Sequence, residues 1–302
     1  MTSEMSPTPA TLHLVATPIG NLADLTPRAA EILARVELIC CEDTRRTGRL
    51  LSHIGGHRGS MLVCNEHTEM SRVTDVLATL ERGDEVALVS DAGTPAISDP
   101  GYRLVRAVIA AGYRVSPVPG PNAAIAALVA SGLAPDRFVF EGFLPRRGGE
   151  RHSRLGEIAD EKRTTIIYES PQRVARTIAD LTDVCGADRA VVVARELTKL
   201  HEEIVHGNLG TIDVGEGRGE YVIVLDGAPE PDRPDDDAIR AALTQALHDG
   251  LSTRDAAREV AGRLGVARRD VYALAVAMTA SDDQRSDIEP TGAEPIPGSG
   301  DE

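Results

Sequence analysis

The sequence has 302 residues, of which 42% are hydrophobic and 26% are charged, and its formal net charge is −15. This length suits about two domains of ~150 residues each, and the composition excludes a short peptide or a largely disordered chain. No run reaches the ~18 consecutive apolar residues that would span a bilayer, and no basic segment precedes an apolar stretch at the N-terminus. These features predict a cytoplasmic protein.

The negative charge is concentrated near the C-terminus. Residues 281–302 supply −6 and residues 229–240 supply −3, so the remainder of the chain carries −6. Local basic clusters lie within that remainder, one at residues 146–154 and one at residues 252–272. The net charge alone therefore does not exclude a nucleic-acid partner, although such clusters are as often solvated faces as binding patches.

The cysteines give no sign of a metal site. They are Cys40, Cys41, Cys64 and Cys185, without a C-x-x-C pair, and most lie in apolar runs. This pattern predicts buried free thiols, and no metal is expected.

Residues 11–135 alternate short β-branched runs with longer amphipathic stretches. The predicted strands cover residues 12–16, 38–41, 61–64, 86–90 and 113–118, and the predicted helices cover residues 26–36, 44–54, 70–82, 102–111 and 122–130. Strand followed by helix, repeated, predicts an N-terminal α/β domain with a parallel sheet.

The rhythm changes from Phe138 onward. The runs TTIIYES, AVVVARE, EEIVHG and YVIVLDG predict strands, and one helix is predicted over residues 171–184. Because the last three strands have no intervening helices, residues 136–228 are expected to form a second α/β domain with an antiparallel or mixed sheet.

The ends and the C-terminal part differ in composition from these domains. Residues 1–10 and 281–302 are expected to be disordered tails, and residues 229–237 an acidic linker. Residues 238–280 are expected to be helical, with Ser252 capping one helix and Gly265 forming the turn before the next. This pattern fits a helix-turn-helix and equally a helical hairpin that docks on the second domain.

Four loops that follow strands carry polar residues, glycine and proline. They are TPIGNLADLT (17–26), CEDTRRTGR (41–49), SDAGTPAISDPG (90–101) and PGPNAA (119–124). Ligands of open α/β sheets bind at the carboxyl ends of strands, so these loops are the expected site. No phosphate-binding glycine motif and no nucleophile elbow is present, which argues against nucleotide hydrolysis, dinucleotide binding and serine hydrolysis.

In chain order, LHLVATPIGNLADLTPRA, CEDTRRT, LVSDAGTPAISDPG, VPGPNAAIAAL, FEGFLPRR, YESPQR and RELTKLHEEIVHG closely resemble the ribosomal RNA small-subunit methyltransferase I family of the tetrapyrrole methylase superfamily. The resemblance covers residues 12–227. It implies two α/β domains with a cofactor cleft between them, usually in a homodimer. The implied activity is S-adenosylmethionine-dependent 2′-O-methylation of a cytidine ribose in small-subunit rRNA, either naked or in the assembled subunit.

The resemblance also implies site residues. Matching the family motifs places the cofactor against Pro18, Ser90, Asp91, Gly93, Thr94, Asn122, Ala123 and Tyr168. The family commonly has Ser at the position of Asn122. A ribose hydroxyl is a poor nucleophile, so a proton acceptor is expected; Glu42 and Asp43 are preferred over Glu66, His67, Lys199 and His201, which stay open. The residues expected to contact RNA are Arg45, Arg46, Arg146, Arg147, Arg151, Arg268 and Arg269.

Two other functions remain open at this point. Sister families with this fold methylate corrin or porphyrin precursors on carbon, although that chemistry needs neither an Arg-rich loop nor a C-terminal helical unit. A degenerate fold that assists ribosome assembly without catalysis is the alternative of another class.

Helix capping would by itself explain why an aspartate stands at position 43, so a catalytic role for Asp43 is one of two alternatives.

Overall fold

The computed structural model describes residues 10–215, 217–229 and 234–286. The chain divides into two compact units, Met1–Ala228 and Pro229–Glu302. The first unit contains two five-stranded sheets, and the second is helical. The sheets confirm the α/β class predicted from the alternation of strands and helices.

The first sheet is entirely parallel, with strand order β3-β2-β4-β1-β5. Its strands are β1 (Thr11–Val15), β2 (Leu38–Cys41), β3 (Ser60–Val63), β4 (Val86–Val89) and β5 (Arg114–Val118). The helices that follow them are α1 (Pro27–Arg35), α2 (Thr44–His53), α3 (Glu69–Glu81), α4 (Tyr102–Ala110) and α5 (Ala123–Ser131). All ten lie within two residues of the bounds predicted from the sequence.

Apolar side chains cover both faces of this sheet. On one face, Ile32 and Leu33 of α1 pack with Leu50 and Leu51 of α2. A second cluster on α3, α4 and the strands has Val76, Leu80, Leu104 and Val108 among its buried members. The inner strands β2 and β4 are buried at every position and read in the sequence as continuous apolar runs, whereas the edge strands β3 and β5 are partly exposed.

The helix α5 follows the first sheet in the chain but packs on the second. Its Ala124, Ala127 and Leu128 join a core cluster with Val222 and Val224 of the second sheet. This helix is apolar around most of its circumference, which suits an element placed between two layers. The cleft between the sheets therefore opens beside the N-terminus of α5.

The second sheet is mixed, with strand order β6-β7-β10-β8-β9. Its strands are β6 (Phe138–Phe143), β7 (Thr164–Glu169), β8 (Ala190–Arg195), β9 (Glu203–Asn208) and β10 (Tyr221–Leu225). Only the β6–β7 pair is parallel, and the helices are α6 (Gly149–Asp160) and α7 (Val174–Cys185). The sequence did not reveal α6, because its sequence GERHSRLGEIAD carries few apolar residues.

The second unit contains α8 (Asp236–His248), α9 (Thr253–Leu264) and α10 (Arg268–Ser286). The Ser252 hydroxyl accepts a hydrogen bond from the Asp255 amide, so Ser252 caps α9 as predicted. Gly265 ends this helix with a φ of 65°, so it forms the predicted turn. The helix α8 lies almost wholly within the residues 238–280 that were expected to be helical, although no separate helix was named there. Buried Ile239, Val260 and Val271 join the three helices in one core.

Three expected boundaries need correction. The residues expected to end the acidic linker instead start α8, because the Asp235 carboxylate accepts the Ala238 amide and acidic residues favour a helix N-terminus. The helix α10 continues to Ser286, beyond the expected start of the C-terminal tail, since AMTASDDQRS continues a helix without a proline or glycine. Ala10 is buried beside Leu12 rather than part of a tail. The other residues of both expected tails lie outside the described residues.

Cys40, Cys41 and Cys64 are buried free thiols, as predicted, and Cys185 is half-buried. Within the described ranges, no group of His, Cys, Asp or Glu side chains is arranged to hold a metal ion. The helices in those ranges also include none with the length and apolarity needed to cross a bilayer.

Candidate active site

The carboxyl ends of the first-sheet strands face the second sheet across a cavity of about 330 Å³. The residues that line it come from seven loops or strand ends: Ile19, Glu42, Arg46, Asp91–Thr94, Ile97–Asp99, Asn122, Ala123, Phe143, Tyr168–Pro171 and Glu220–Val222. Of the residues that the resemblance assigns to the cofactor, Asp91, Gly93, Thr94, Asn122, Ala123 and Tyr168 line this cavity. Pro18 and Ser90 line a smaller cavity beside it.

The loop of residues 90–101 is held in place from several sides. The backbones of Thr17 and Gly93 exchange two hydrogen bonds of 2.9 and 3.0 Å. At the other end of the loop, the buried Glu69 carboxylate accepts the backbone amides of Gly101 at 3.1 Å and Leu104 at 2.8 Å. These contacts fix both ends of the loop against the sheet.

The same loop holds unusual backbone conformations. Gly93 has a φ of 84°, and Ala96 and Ser98 have φ values of 69° and 61° although they carry side chains. A Cβ on Gly93 would lie 3.3 Å from Ile19 Cγ2. Left-handed conformations at residues with side chains are strained and concentrate at ligand sites. The strain and the tight contact favour a loop shaped for a ligand.

The N-terminus of α5 closes another side of the cavity. The Asn122 side chain accepts the Ile125 amide at 3.2 Å and donates to Thr94 Oγ1 at 3.1 Å. The Tyr168 hydroxyl, from the end of β7, accepts the Ala124 amide at 3.1 Å. Asn122 thus caps α5 and links it to the loop that carries Thr94. Asparagine therefore supplies both a donor and an acceptor at the position where the family commonly has serine.

Carboxylates dominate the electrostatics of the cavity. Asp91 lies 3.4 Å from Arg46 and accepts the Asp43 amide at 3.2 Å. Burial raises the pKa of Asp91, and the Arg46 guanidinium opposes that rise. Asp99 lacks an arginine partner among the described residues: burial raises its pKa to about 7, helped by the charges of Glu42 and Asp91 and opposed by the Ser90 hydroxyl. The cavity is therefore suited to a positively charged ligand.

The two expected proton acceptors are in different surroundings. Glu42 lines the cavity, is half-buried, and accepts the Asp91 amide at 3.0 Å. Burial raises the pKa of its carboxyl. Asp43 instead caps α2, accepting the amide and the guanidinium of Arg45 at 2.8 Å, and these contacts hold its pKa well below the usual range. The capping alternative describes Asp43, which does not line the cavity.

The other candidate acceptors do not line the cavity. Glu66 and His67 are exposed in the turn before α3, and His201 is exposed. Lys199 donates to Glu196 at 2.7 Å and to Glu220 at 3.0 Å. Those two carboxylates raise the pKa of Lys199 against the opposing effect of burial. A protonated ammonium cannot accept a proton.

The arginines expected to contact RNA divide into a buried and an exposed group. Arg151 is 3% exposed, and its guanidinium donates to Asp180 at 2.6 Å and to the Pro145 carbonyl at 2.9 Å. We therefore correct its expected role: burial in an ion pair removes it from any RNA surface. Arg146 and Arg147 are exposed between β6 and α6.

Comparison with known proteins identifies the family. The profile described as tetrapyrrole (corrin/porphyrin) methylases matches residues 11–213. A protein from Xylella fastidiosa (strain Temecula1) named ribosomal RNA small subunit methyltransferase I is 47% identical over 277 residues, covering 88% of this chain and 98% of its own. The chain belongs to this family of tetrapyrrole methylases. The resemblance read from the sequence is confirmed.

Other relatives agree. The proteins of the same name from Escherichia coli O157:H7 and Mycobacterium bovis are 45% and 41% identical, covering 88% and 86% of this methyltransferase and 94% and 93% of their own chains. The profile described as the RsmI C-terminal HTH domain matches residues 233–279. The methyltransferase class predicted from the motifs is thereby confirmed.

Solved structures confirm the fold. The methyltransferase CobJ superposes with a TM-score of 0.57 at 22% identity, covering 72% of this methyltransferase and 95% of its own chain. Cobalt precorrin-4 methyltransferase gives 0.54 at 19% identity, covering 73% and 96%. At these identities the likeness concerns the fold alone.

Sequence reasoning missed several cavity residues. Asp99 is within the quoted motif SDAGTPAISDPG, yet nothing in the sequence distinguished it from a turn aspartate. Phe143 ends β6 and Glu220 directly precedes β10, and the sequence did not give the pairing order of this second sheet. The available signal was the motif itself, in which Asp99 sits between Ser98 and Pro100.

Proposed function

We propose that this methyltransferase uses S-adenosylmethionine to methylate the ribose 2′-hydroxyl of a cytidine in small-subunit ribosomal RNA. The observation that carries the proposal is the similarity over nearly the whole chain to relatives named for small-subunit rRNA methylation, including the match over residues 233–279. The likeness to corrin and porphyrin methyltransferases extends over 72–73% of the chain at 18–22% identity. The proposed substrate places the enzyme in the cytoplasm.

The cavity fits S-adenosylmethionine in size and charge. A structure neighbour, uroporphyrin-III C-methyltransferase from Thermus thermophilus, is described as a complex with S-adenosyl homocysteine. The cofactor supplies a methyl group on a positively charged sulfonium. Asp91 and Asp99 offer carboxylates to its cationic groups, while Thr94, Asn122 and the backbone around Gly93 and Ala123 offer hydrogen-bonding groups at the cavity wall. Pro18 and Ser90 shape the loops behind that wall.

Glu42 is the proposed proton acceptor for the ribose hydroxyl. It is the carboxylate on the CEDTRR loop that lines the cavity, and burial raises its pKa toward the range useful for a general base. Asp43 supports it indirectly, because the Asp43 amide donates to Asp91 while the Asp91 amide donates to Glu42.

Glu42→Gln should lower kcat by ~100-fold or more, since general base catalysis typically contributes about 10²–10⁴. The affinity for S-adenosylmethionine, measured by calorimetry, should change little because the amide keeps one oxygen to accept the Asp91 amide. Asp43→Asn serves as the matched control on the same loop. Equal losses of kcat in both variants would contradict the assignment.

The decisive test of the function is transfer of labelled methyl from S-adenosylmethionine to three acceptors. Isolated small ribosomal subunits or naked small-subunit rRNA should be labelled, whereas a tetrapyrrole precursor should not. Nuclease digestion and mass spectrometry should locate the label on the ribose of one cytidine. Labelling of the tetrapyrrole alone would establish the carbon methylation, and binding to subunits without transfer would establish the assembly role.

Each unit, taken by itself, has exposed arginines that are proposed to contact RNA. Arg146 and Arg147 extend from the first unit, while Arg268 and Arg269 begin α10 in the second. In a helix-turn-helix the start of the second helix of the motif faces nucleic acid. The Arg269 side chain is 96% exposed and lies 3.7 Å from Asp270, whose side chain is 35% exposed. Its guanidinium is therefore accessible to a phosphate.

Replacing Arg268 and Arg269 by Ala should weaken binding to small subunits. The slope of the logarithm of the binding constant against the logarithm of salt concentration should become less steep by about 0.7–0.9 for each lost phosphate contact. Affinity for S-adenosylmethionine should be unchanged. Binding measured from ~50 to 200 mM salt tests this, with the exposed Arg240 of α8 replaced by Ala as the control. An unchanged slope would show that these arginines form only a solvated face.

A homodimer is also proposed. The helix α5 exposes Ile125 at 45% and Val129 at 71%, one helical turn apart on the same side. Exposed apolar side chains that share a helix face favour burial against a second copy. Sedimentation equilibrium should give twice the chain mass, and a single-chain mass at micromolar concentration would exclude the homodimer.

A further inference from the structure

A second cavity of about 130 Å³ lies beside the first, and the two share Arg46 and Asp91. Its lining comes from the first unit alone: Thr17, Pro18, Leu22, Arg46, Thr47, Arg49, Leu50, Ser90 and Asp91. Ligand pockets for cofactor-sized molecules typically occupy ~300–1,000 Å³. This cavity therefore has room for a small chemical group and not for a second cofactor.

The helix α2 places two arginines on this cavity. Arg46 and Arg49 are three residues apart, so their side chains leave the helix on the same side. Arg45 is turned to Asp43, with its Nε and Nη2 atoms donating to the two carboxylate oxygens at 3.1 and 2.8 Å. Of the three arginines in CEDTRRTGR, Arg46 and Arg49 therefore line the cavity, and Arg45 does not.

The charge balance is opposite to that of the first cavity. Asp91 is the carboxylate in the lining, and it lies 3.4 Å from Arg46. Arg49 is exposed and forms no ion pair with any residue that the structure describes. The Thr17 hydroxyl is already engaged, donating to the Ser90 carbonyl at 3.1 Å. The ligand groups left available are guanidinium donors, which match an anion with several acceptor oxygens.

We infer that this second cavity binds a backbone phosphate of the RNA substrate, next to the nucleotide that is methylated, and that Arg49 is its principal ligand. The inference rests on the proposed function. A ribose that reaches the first cavity carries a phosphodiester on each side, so a phosphate necessarily accompanies the reacting hydroxyl. The two cavities adjoin at the shared residues Arg46 and Asp91, so the second cavity is within reach of a group attached to a ribose held in the first.

Arg49→Ala is the test, with Arg58→Ala as its matched control. Arg58 is exposed in the turn between α2 and β3, which precedes the amino end of β3 and so lies at the opposite edge of the sheet. The Arg49 variant should bind small ribosomal subunits ~3- to 10-fold more weakly, with a salt slope smaller by about 0.7–0.9. Its affinity for S-adenosylmethionine should stay within about twofold of the wild type, because the first cavity is unchanged.

The results separate the possibilities. If Arg49→Ala and Arg58→Ala bind subunits with the same affinity and salt slope, the phosphate site is wrong. If Arg49→Ala instead weakens S-adenosylmethionine, the cavity holds the carboxylate of the cofactor and the inference is likewise overturned. Wild-type enzyme that transfers no methyl to subunits or rRNA would remove the proposed function together with this site.

Discussion

Asp99→Asn is expected to weaken S-adenosylmethionine binding by ~10- to 100-fold while it stabilises the ligand-free enzyme at neutral pH. The first effect follows because hydrogen bonds to a charged group contribute roughly 1.5–3 kcal/mol, and asparagine removes the charge that meets the cofactor's cation. Asp99 lines the first cavity and has no arginine partner among the described residues, so no ion pair there neutralises its carboxylate before the cofactor binds.

The second effect follows from the pKa of Asp99. Burial raises it from the ordinary 3.8 to about 7 in the folded enzyme, so ionised Asp99 favours the unfolded chain. The ionisation of Asp99 therefore lowers the free energy of unfolding progressively between about pH 4 and pH 7, and this loss of stability is complete above that range. The asparagine side chain of the variant carries no charge, so the gain in melting temperature should be largest at about pH 8 and small at about pH 4.

Calorimetry for the cofactor and thermal unfolding across about pH 4–8 check both effects. Wild-type affinity for the cofactor should fall as the pH drops below about 7, because Asp99 becomes protonated, and the variant should lack that dependence. Asp160→Asn, at the end of α6, is the control for a change of net charge. Unchanged cofactor affinity in Asp99→Asn would exclude this residue from the site.

Arg151→Ala is expected to lower the free energy of unfolding by about 3 kcal/mol, the lower end of the cost of breaking a buried ion pair. The Arg151 guanidinium makes four hydrogen bonds, to Asp180, Thr177 and the Pro145 carbonyl. Among the described residues, its loss leaves Asp180 with only Arg176, at 3.7 Å, and the Pro145 carbonyl with only Arg173, at 3.5 Å. Asp180 retains some exposure, with 27% of its side chain accessible, which keeps the expected cost at the lower end.

Chemical denaturation measures this change, and the exposed Arg147→Ala is the control that should leave stability within about 0.5 kcal/mol. RNA binding by folded Arg151→Ala should match the wild type. If Arg151→Ala has unchanged stability but binds small subunits more weakly, Arg151 contacts RNA and its structural role is wrong.

The first sheet was predictable because short runs rich in β-branched and apolar residues alternate there with longer stretches, and each of the helices α1 to α4 has one apolar face. The same reasoning failed at α6, whose buried positions include Arg151 beside Leu155 and Ile158, so the apolar period is interrupted by a charged residue. The start of α8 was hidden because the acidic run that begins the helix was assigned to the linker, and no separate helix was named within residues 238–251. In both helices the buried face is determined by what packs against it, which the local pattern does not show.

The candidate site was predictable as a set of loops and not as a set of distances. The motif SDAGTPAISDPG identified the right segment, but the elevated pKa of Asp99 comes first from burial in the folded cavity and then from the charge of Glu42, which lies in a different loop. The shape of the motif's loop depends on Glu69, 32 residues before Gly101 in the chain. Arg151 shows the converse: a basic cluster in sequence separates into buried and exposed members once a helix forms.

The position of α5 has a consequence for synthesis on the ribosome. This helix is complete when the first sheet is complete, yet the strand that buries it most, β10, is the last of its unit to be made. Until then a nine-residue apolar segment, AAIAALVAS, lacks its partner surface. Nascent chains with such exposed segments are prone to aggregate and are the natural clients of chaperones. During the synthesis of the residues between α5 and β10, a growing chain of this enzyme is therefore expected to expose this apolar helix.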